Sequence, residues 1–185
     1  MRPAFVVCLA AGPALAEMTL TPPDFLDGGT LPEAQVLNGF GCAGANTSPA
    51  LVWSGAPEGA KSFLLTVYDP DAPTGSGRWH WAVANIPADV TGLAAGASPA
   101  GLPEGAVEGR TDFGAPGFGG ACPPEGAAPH RYVFTLYAMP EAALPLDGNA
   151  SGAMFGFYAL GLALEHVVLT ATYGRQACTG AKALV

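Results

Sequence analysis

The run Ser62-Phe63-Leu64-Leu65-Thr66-Val67-Tyr68 sets the fold class of this chain. Its β-branched and aromatic residues suit a pleated sheet. Apolar side chains fall on both of its faces, so the segment reads as a central strand covered on both sides rather than a half-exposed one. Similar segments run over Ala50 to Ser54, Trp79 to Ile86, His130 to Met139 and His166 to Tyr173. Between them the chain is punctuated by 26 Gly and 18 Pro, as expected of short strands joined by turns. One helix is predicted, from about Ser151 to Leu164, and its glycines make it a weak former. The expected class is all-β with minor α, a two-sheet antiparallel sandwich with one or two short peripheral helices.

The first 16 residues hold one charge, Arg2, then an apolar run from Ala4 to Ala11, and end in Ala14-Leu15-Ala16. That is the pattern of a secretory signal with a small-residue cleavage site, and the run is too short to span a bilayer. The expected organisation is therefore a signal over 1–16 and a single domain over 17–185, periplasmic or secreted after cleavage near Ala16. Cys8 lacks a lipobox before it, so no lipid anchor is expected there. The full chain carries 7 Lys and Arg against 15 Asp and Glu, a net charge of −8, and loss of Arg2 makes it −9. Without a basic cluster there is no footprint for nucleic acid. Cys42, Cys122 and Cys178 remain after cleavage, in a compartment where disulfides persist. No Cys-x-x-Cys pair or zinc-like spacing occurs, so no metal is expected.

The chemistry-bearing residues lie near strand ends. Asp69-Pro70-Asp71-Ala72-Pro73 follows the apolar strand. If the backbone stays extended there, Asp69 and Asp71 point to one side and present two carboxylates together. An Asp-Pro turn with solvated carboxylates is the other reading. Trp79-His80-Trp81 begins the next strand, and the short connection from Thr74 to Arg78 can return His80 beside Asp71, favouring the imidazolium form. In Pro123-Pro124 … His130-Arg131-Tyr132, alternation puts His130 and Tyr132 on one face and Arg131 on the other, where it reads as a structural partner of a carboxylate.

Taken together, Asp69-Pro70-Asp71-Ala72-Pro73, Trp79-His80-Trp81 with Asn85, and Pro123-Pro124 with His130-Arg131-Tyr132 resemble the phosphatidylethanolamine-binding protein family, in its bacterial Raf-kinase-inhibitor-like branch. Supporting phrases are Asn38-Gly39-Phe40-Gly41-Cys42, the run from Asn46 to Trp53, and Gly109-Arg110-Thr111-Asp112-Phe113-Gly114. The resemblance implies a Greek-key β-sandwich with a small pocket for phosphate, acetate or a phosphoethanolamine head group. Carried over by position, that pocket is lined by Asp69, Asp71, His80, Pro124, His130 and Tyr132. The chain departs from animal members at its end, Cys178 to Val185, where they add a helix with a further pocket tyrosine.

The leading functional expectation is a non-enzymatic binder of a small anion or phospholipid head group, with no catalytic residue and no cofactor. The family also implies a protein partner, protease or kinase-like, that such a chain inhibits or regulates. The alternative is a metal-dependent hydrolase using the Asp/His cluster. Cys42 and Cys122, each in a glycine-rich loop beside a recognised motif, are expected to pair, leaving Cys178 free or cross-linking two chains. A homodimer is expected. Protonated His80 is expected to make oxyanion binding stronger as pH falls from about 8 to 6.

Overall fold

The computed structural model describes residues 17–177. Its strands are β1 (Thr19–Thr21), β2 (Asn38–Gly39), β3 (Cys42–Ala43), β4 (Leu51–Ser54), β5 (Ser62–Asp69), β6 (Arg78–Pro87), β7 (Gly92–Leu93), β8 (Val107–Glu108), β9 (His130–Met139) and β10 (Glu165–Tyr173). One α-helix, α1 (Gly152–Leu162), and a 3-10 turn at Glu33–Gln35 complete the elements. All strand pairs are antiparallel. They form a five-stranded sheet in the order β10-β9-β5-β6-β8, a three-stranded sheet β1-β4-β7 and the small hairpin β2-β3. After β6 the chain visits the smaller sheet through β7, returns as β8, and crosses to the far side of β5 as β9.

β5 sits at the centre because both of its faces have somewhere to go. Phe63, Leu65 and Val67 enter the core between the two sheets, with Trp53, Trp81 and Phe134. Leu64 enters a second core, shared with Ala82, Ala84, Met139 and Phe155 beneath α1. All four of these β5 side chains are fully buried, and each such burial is worth about 1.5–3 kcal/mol. The sandwich thus gains a third layer, the helix, on the outer face of its larger sheet.

α1 starts where Ser151 caps it, the Ser151 Oγ accepting from the Met154 N–H at 3.3 Å. Gly152 explains why a glycine-bearing segment is used here. A Cβ at that position would collide with the ring of Trp79, so the bare backbone lets the helix start lie against β6. Packing, rather than intrinsic propensity, stabilises this helix.

The pairing of β5 with β6 slips once near its end. Val67 faces Trp81 and Tyr68 faces Trp79, which leaves His80 as the extra residue of a β-bulge. Strict alternation would put both tryptophans on one face. Instead Trp81 goes into the inter-sheet core while Trp79 lies against α1, and the strand is re-aimed where His80 leaves it. The expected signal segment and Cys178 lie outside the described residues.

Candidate functional site

Where β5 ends, β6 and β9 both begin, and a cavity of about 220 Å³ opens between them. Asp69, Arg78, His80 and His130 come from these three strand ends. Phe40, at the tip of the β2-β3 hairpin, Phe113 and Pro123-Pro124 supply the apolar walls, and Arg175 closes one side. The volume suits a small head group rather than a drug-sized ligand.

Asp69 is buried and fully engaged. One carboxylate oxygen accepts from the Asp71 N–H and the other lies 2.8 Å from His130 Nδ1, both at the same distance. Asp71 does something different. Its side chain accepts from the Arg131 backbone N–H at 2.9 Å and, through both oxygens, from the Arg131 guanidinium at 2.9 and 2.7 Å. That fork holds the Asp71 carboxyl at about 2, well below its usual range. The expected joint presentation of two carboxylates is therefore not what forms. The chain turns at Pro70, the Asp71 N–H binds back to Asp69, and Asp71 faces a shallow surface depression beside Arg131 instead. Arg131 has the structural role read for it.

His80 does not return to Asp71 either. Its Nδ1 is 2.7 Å from the Gly119 carbonyl oxygen, and its ring stands edge-on to Tyr132 and Phe113. Burial pushes its pKa down to about 4, so the ring is neutral between pH 8 and 6. The expected imidazolium is not the resting form, because the ring is buried and the nearest carboxylate is already taken by His130. Tyr132 is buried behind His80, outside the cavity lining, with its hydroxyl lacking a well-formed hydrogen bond; desolvation raises its pKa. Pro124 lines the cavity, and so do Asp69, His80 and His130.

The sequence reading missed both cations of the wall. Arg78 stands over the Phe113 ring at 4.3 Å and within 5.9 Å of Phe40, and its Nη2 donates to the Asp112 carbonyl at 3.3 Å. Arg175 donates to the Gly41 carbonyl at 2.7 Å and lies 3.9 Å from Glu125. Arg78 had a usable signal, since it opens the strand that carries His80. Arg175 had none, for it follows the last strand and reaches the cavity only through the fold. Cys42 and Cys122 are joined at 2.06 Å, as their positions led us to expect, and Cys122 is itself part of the wall.

Residues 21–174 match the phosphatidylethanolamine-binding protein model. The chain belongs to the phosphatidylethanolamine-binding protein family. Within it, the chain is 54% identical to the YbcL protein of Escherichia coli K12 over 145 residues, 77% of this chain and 79% of YbcL. It is 49% identical to YbhB of the same organism over 142 residues, 76% of this chain and 89% of YbhB. The crystal structure of YbcL superposes with a TM-score of 0.84, covering 86% of this chain and 99% of that one at 51% identity. A Mycobacterium tuberculosis relative named as a lipoprotein, LppC, is 40% identical over 140 residues, 76% of this chain and 64% of LppC. Family membership supports ligand binding in general. For the hydrolase reading, both histidine Nδ1 atoms are already committed, and among the described residues no three His, Cys, Asp or Glu side chains converge to hold a metal.

Proposed function

We propose that this chain is an exported, non-enzymatic binding protein whose cavity takes a small oxyanion, such as the phosphate of a phospholipid head group. The observation that carries this reading is the charge of the wall. In a chain of net charge −8, the lining gathers two guanidiniums, Arg78 and Arg175, against one carboxylate that is already hydrogen-bonded twice. A local positive site of that kind draws an anion against the unfavourable field of the whole molecule. Export is supported by the signal-like first 16 residues, by a disulfide beside the cavity and by the lipoprotein name of one relative. Among the described residues no helix is long and apolar enough to cross a membrane. Regulation of a protein partner belongs to the same proposal, with ligand occupancy of the cavity as the state that the partner would read.

The test is titration calorimetry with inorganic phosphate and with O-phosphoethanolamine. Both are expected to bind the wild type, and His80→Ala is expected to weaken them by roughly 1.5–3 kcal/mol, the worth of a hydrogen bond to a charged group. Absence of binding by either compound would end the reading. Native mass spectrometry of protein taken from its own host gives an independent check through the mass of any retained small molecule.

A further inference from the structure

Away from the cavity, two stretches carry the Asn-x-Ser pattern at which an exported chain can receive a glycan, Asn46-Thr47-Ser48 and Asn149-Ala150-Ser151. Three residues recur by chance, so the pattern alone decides nothing. The fold separates the two. Asn46 is held at both ends of its carboxamide, Nδ2 donating to the Phe118 carbonyl at 3.4 Å and Oδ1 accepting from the Gly120 N–H at 2.7 Å. Ser48 is buried, and its hydroxyl oxygen accepts from the Ser98 N–H at 3.1 Å. Both groups that a glycan transfer would use are consumed by the fold at this first site.

Asn149 is the opposite case. It is exposed in the turn that leads into α1, and it is not part of the cavity wall. Only its backbone is tied, the N–H donating to Asp147 Oδ1 at 2.8 Å and the carbonyl accepting from Arg110 Nε at 3.4 Å. Its carboxamide has no hydrogen-bond partner among the described residues. Asp147 Oδ1 also accepts from the Ala150 N–H at 3.2 Å, and the Ala150 carbonyl accepts from the Arg110 N–H at 2.8 Å. The turn is thus fixed through main-chain groups, and the Asn149 side chain projects from it. Ser151 Oγ accepts from the Met154 N–H as the helix cap, at 3.3 Å. A hydroxyl that accepts keeps its own hydrogen to donate.

Resting on the export reading above, which puts the chain where glycan transfer takes place, we propose that Asn149 is a modification site: it accepts an N-linked oligosaccharide on the folded chain while Asn46 stays bare. The donor class is an oligosaccharide carried on a polyprenyl diphosphate. The bond formed joins Asn149 Nδ2 to the anomeric carbon of the first sugar. The bond broken is the one from that carbon to the diphosphate oxygen, which leaves with the electron pair, and one Nδ2 proton passes to a base of the transferase. Ser151 supplies the hydroxyl by which the transferase recognises the site. The fold gives up no side-chain contact when the glycan is added, since the carboxamide makes none, and a bulky polar group at an exposed turn lies in solvent.

Transfer in vitro tests this without requiring export. The mature chain, folded and with its disulfide formed, is incubated with a purified bacterial oligosaccharyltransferase and its lipid-linked donor, beside a synthetic peptide of residues 143–155. Peptide mapping by mass spectrometry is expected to find one glycan per chain, on Asn149 and not on Asn46. Asn149→Gln is expected to take none. Ser151→Ala is expected to abolish transfer, while Ser151→Thr, which keeps both the cap and the hydroxyl, retains it. A folded chain left bare overturns the inference, whether the peptide accepts, which would mean that the fold hides Asn149, or does not. A glycan on Asn46 of the folded chain overturns the selection of one site by the fold. If the chain is modified in vitro but comes out bare from a bacterium that carries both the full-length chain and the same transferase, the export reading fails and Asn149 stands as the acceptor.

Discussion

His80 is buried among Tyr132 and Phe113, with Arg78 and Asp69 the charged groups nearest it in the wall. Its folded pKa of about 4 lies below the 6.5 of an exposed imidazole, so between those values the unfolded chain binds a proton that the folded chain refuses. Stability must then rise with pH across this window and fall as pH drops through it. Urea unfolding is expected to lose on the order of 3 kcal/mol between pH 6.5 and pH 4, and His80→Gln should remove most of that slope. A slope unchanged in the variant would assign it to other groups. Asp71 works in the opposite sense. Its carboxyl is depressed from 3.8 to about 2, so the contribution is present above about pH 4 and disappears as pH falls towards 2. Because the Asp71–Arg131 pair is largely solvated, the expected effect of Asp71→Asn on the acid midpoint is small. The same variant is expected to leave O-phosphoethanolamine affinity within about twofold by calorimetry, since an exposed pair outside the cavity contributes little there. At this scale the sequence singled out residues that line the cavity better than it showed their partners. Asp69, His80 and His130 were legible from their phrases. That Asp71 turns away was not, because it depends on a turn at Pro70 meeting Arg131 from a strand some 60 positions later.

Among the elements, β5 was the most legible and the shortest strands the least. An eight-residue run apolar on both faces has few alternatives, whereas β2, β3, β7 and β8 are two residues each and carry no pattern to read. The bulge at His80 was equally hidden. It lets Trp81 enter the inter-sheet core while Trp79 packs against α1 and Tyr68, and nothing local encodes it. Leu64→Ala would empty a fully buried site between β5 and α1, and an expected loss of about 2–5 kcal/mol is measurable by chemical denaturation. Gly152→Val is expected to cost about 1–3 kcal/mol by the opposite route, forcing α1 off the Trp79 ring. If the valine variant were as stable as the wild type, the close approach of helix and strand would not be what fixes α1.

For the molecule as a whole, the sandwich was readable because strand-like segments alternate with connections rich in Gly and Pro. Its third layer was less so, since α1 is apolar all round and gives no periodic stripe. The helix leaves Met154, Phe157 and Leu160 in solvent, at 46%, 72% and 81% exposure, and such a surface is compatible with the expected homodimer. Light scattering at micromolar concentration is expected to return twice the chain mass, and a monomer would end that expectation. The Cys42–Cys122 bond closes a sequence separation of 80 residues, for which chain entropy gives at most about 4.5 kcal/mol. Replacing both cysteines with serine should lower the unfolding free energy by up to that amount.

The bond also joins the two sides of the cavity. Cys42 directly follows the hairpin tip where Phe40 packs near Arg78 and Gly41 holds Arg175, while Cys122 directly precedes the Pro123-Pro124 wall. The disorder of both loops is thus removed once, when the covalent link forms, instead of at every encounter with a ligand. A newly made chain whose thiols are still reduced would have the right side chains in a slack mouth. Its grip on a ligand would arrive with oxidation, so the moment of loading is set by the surroundings in which folding is completed.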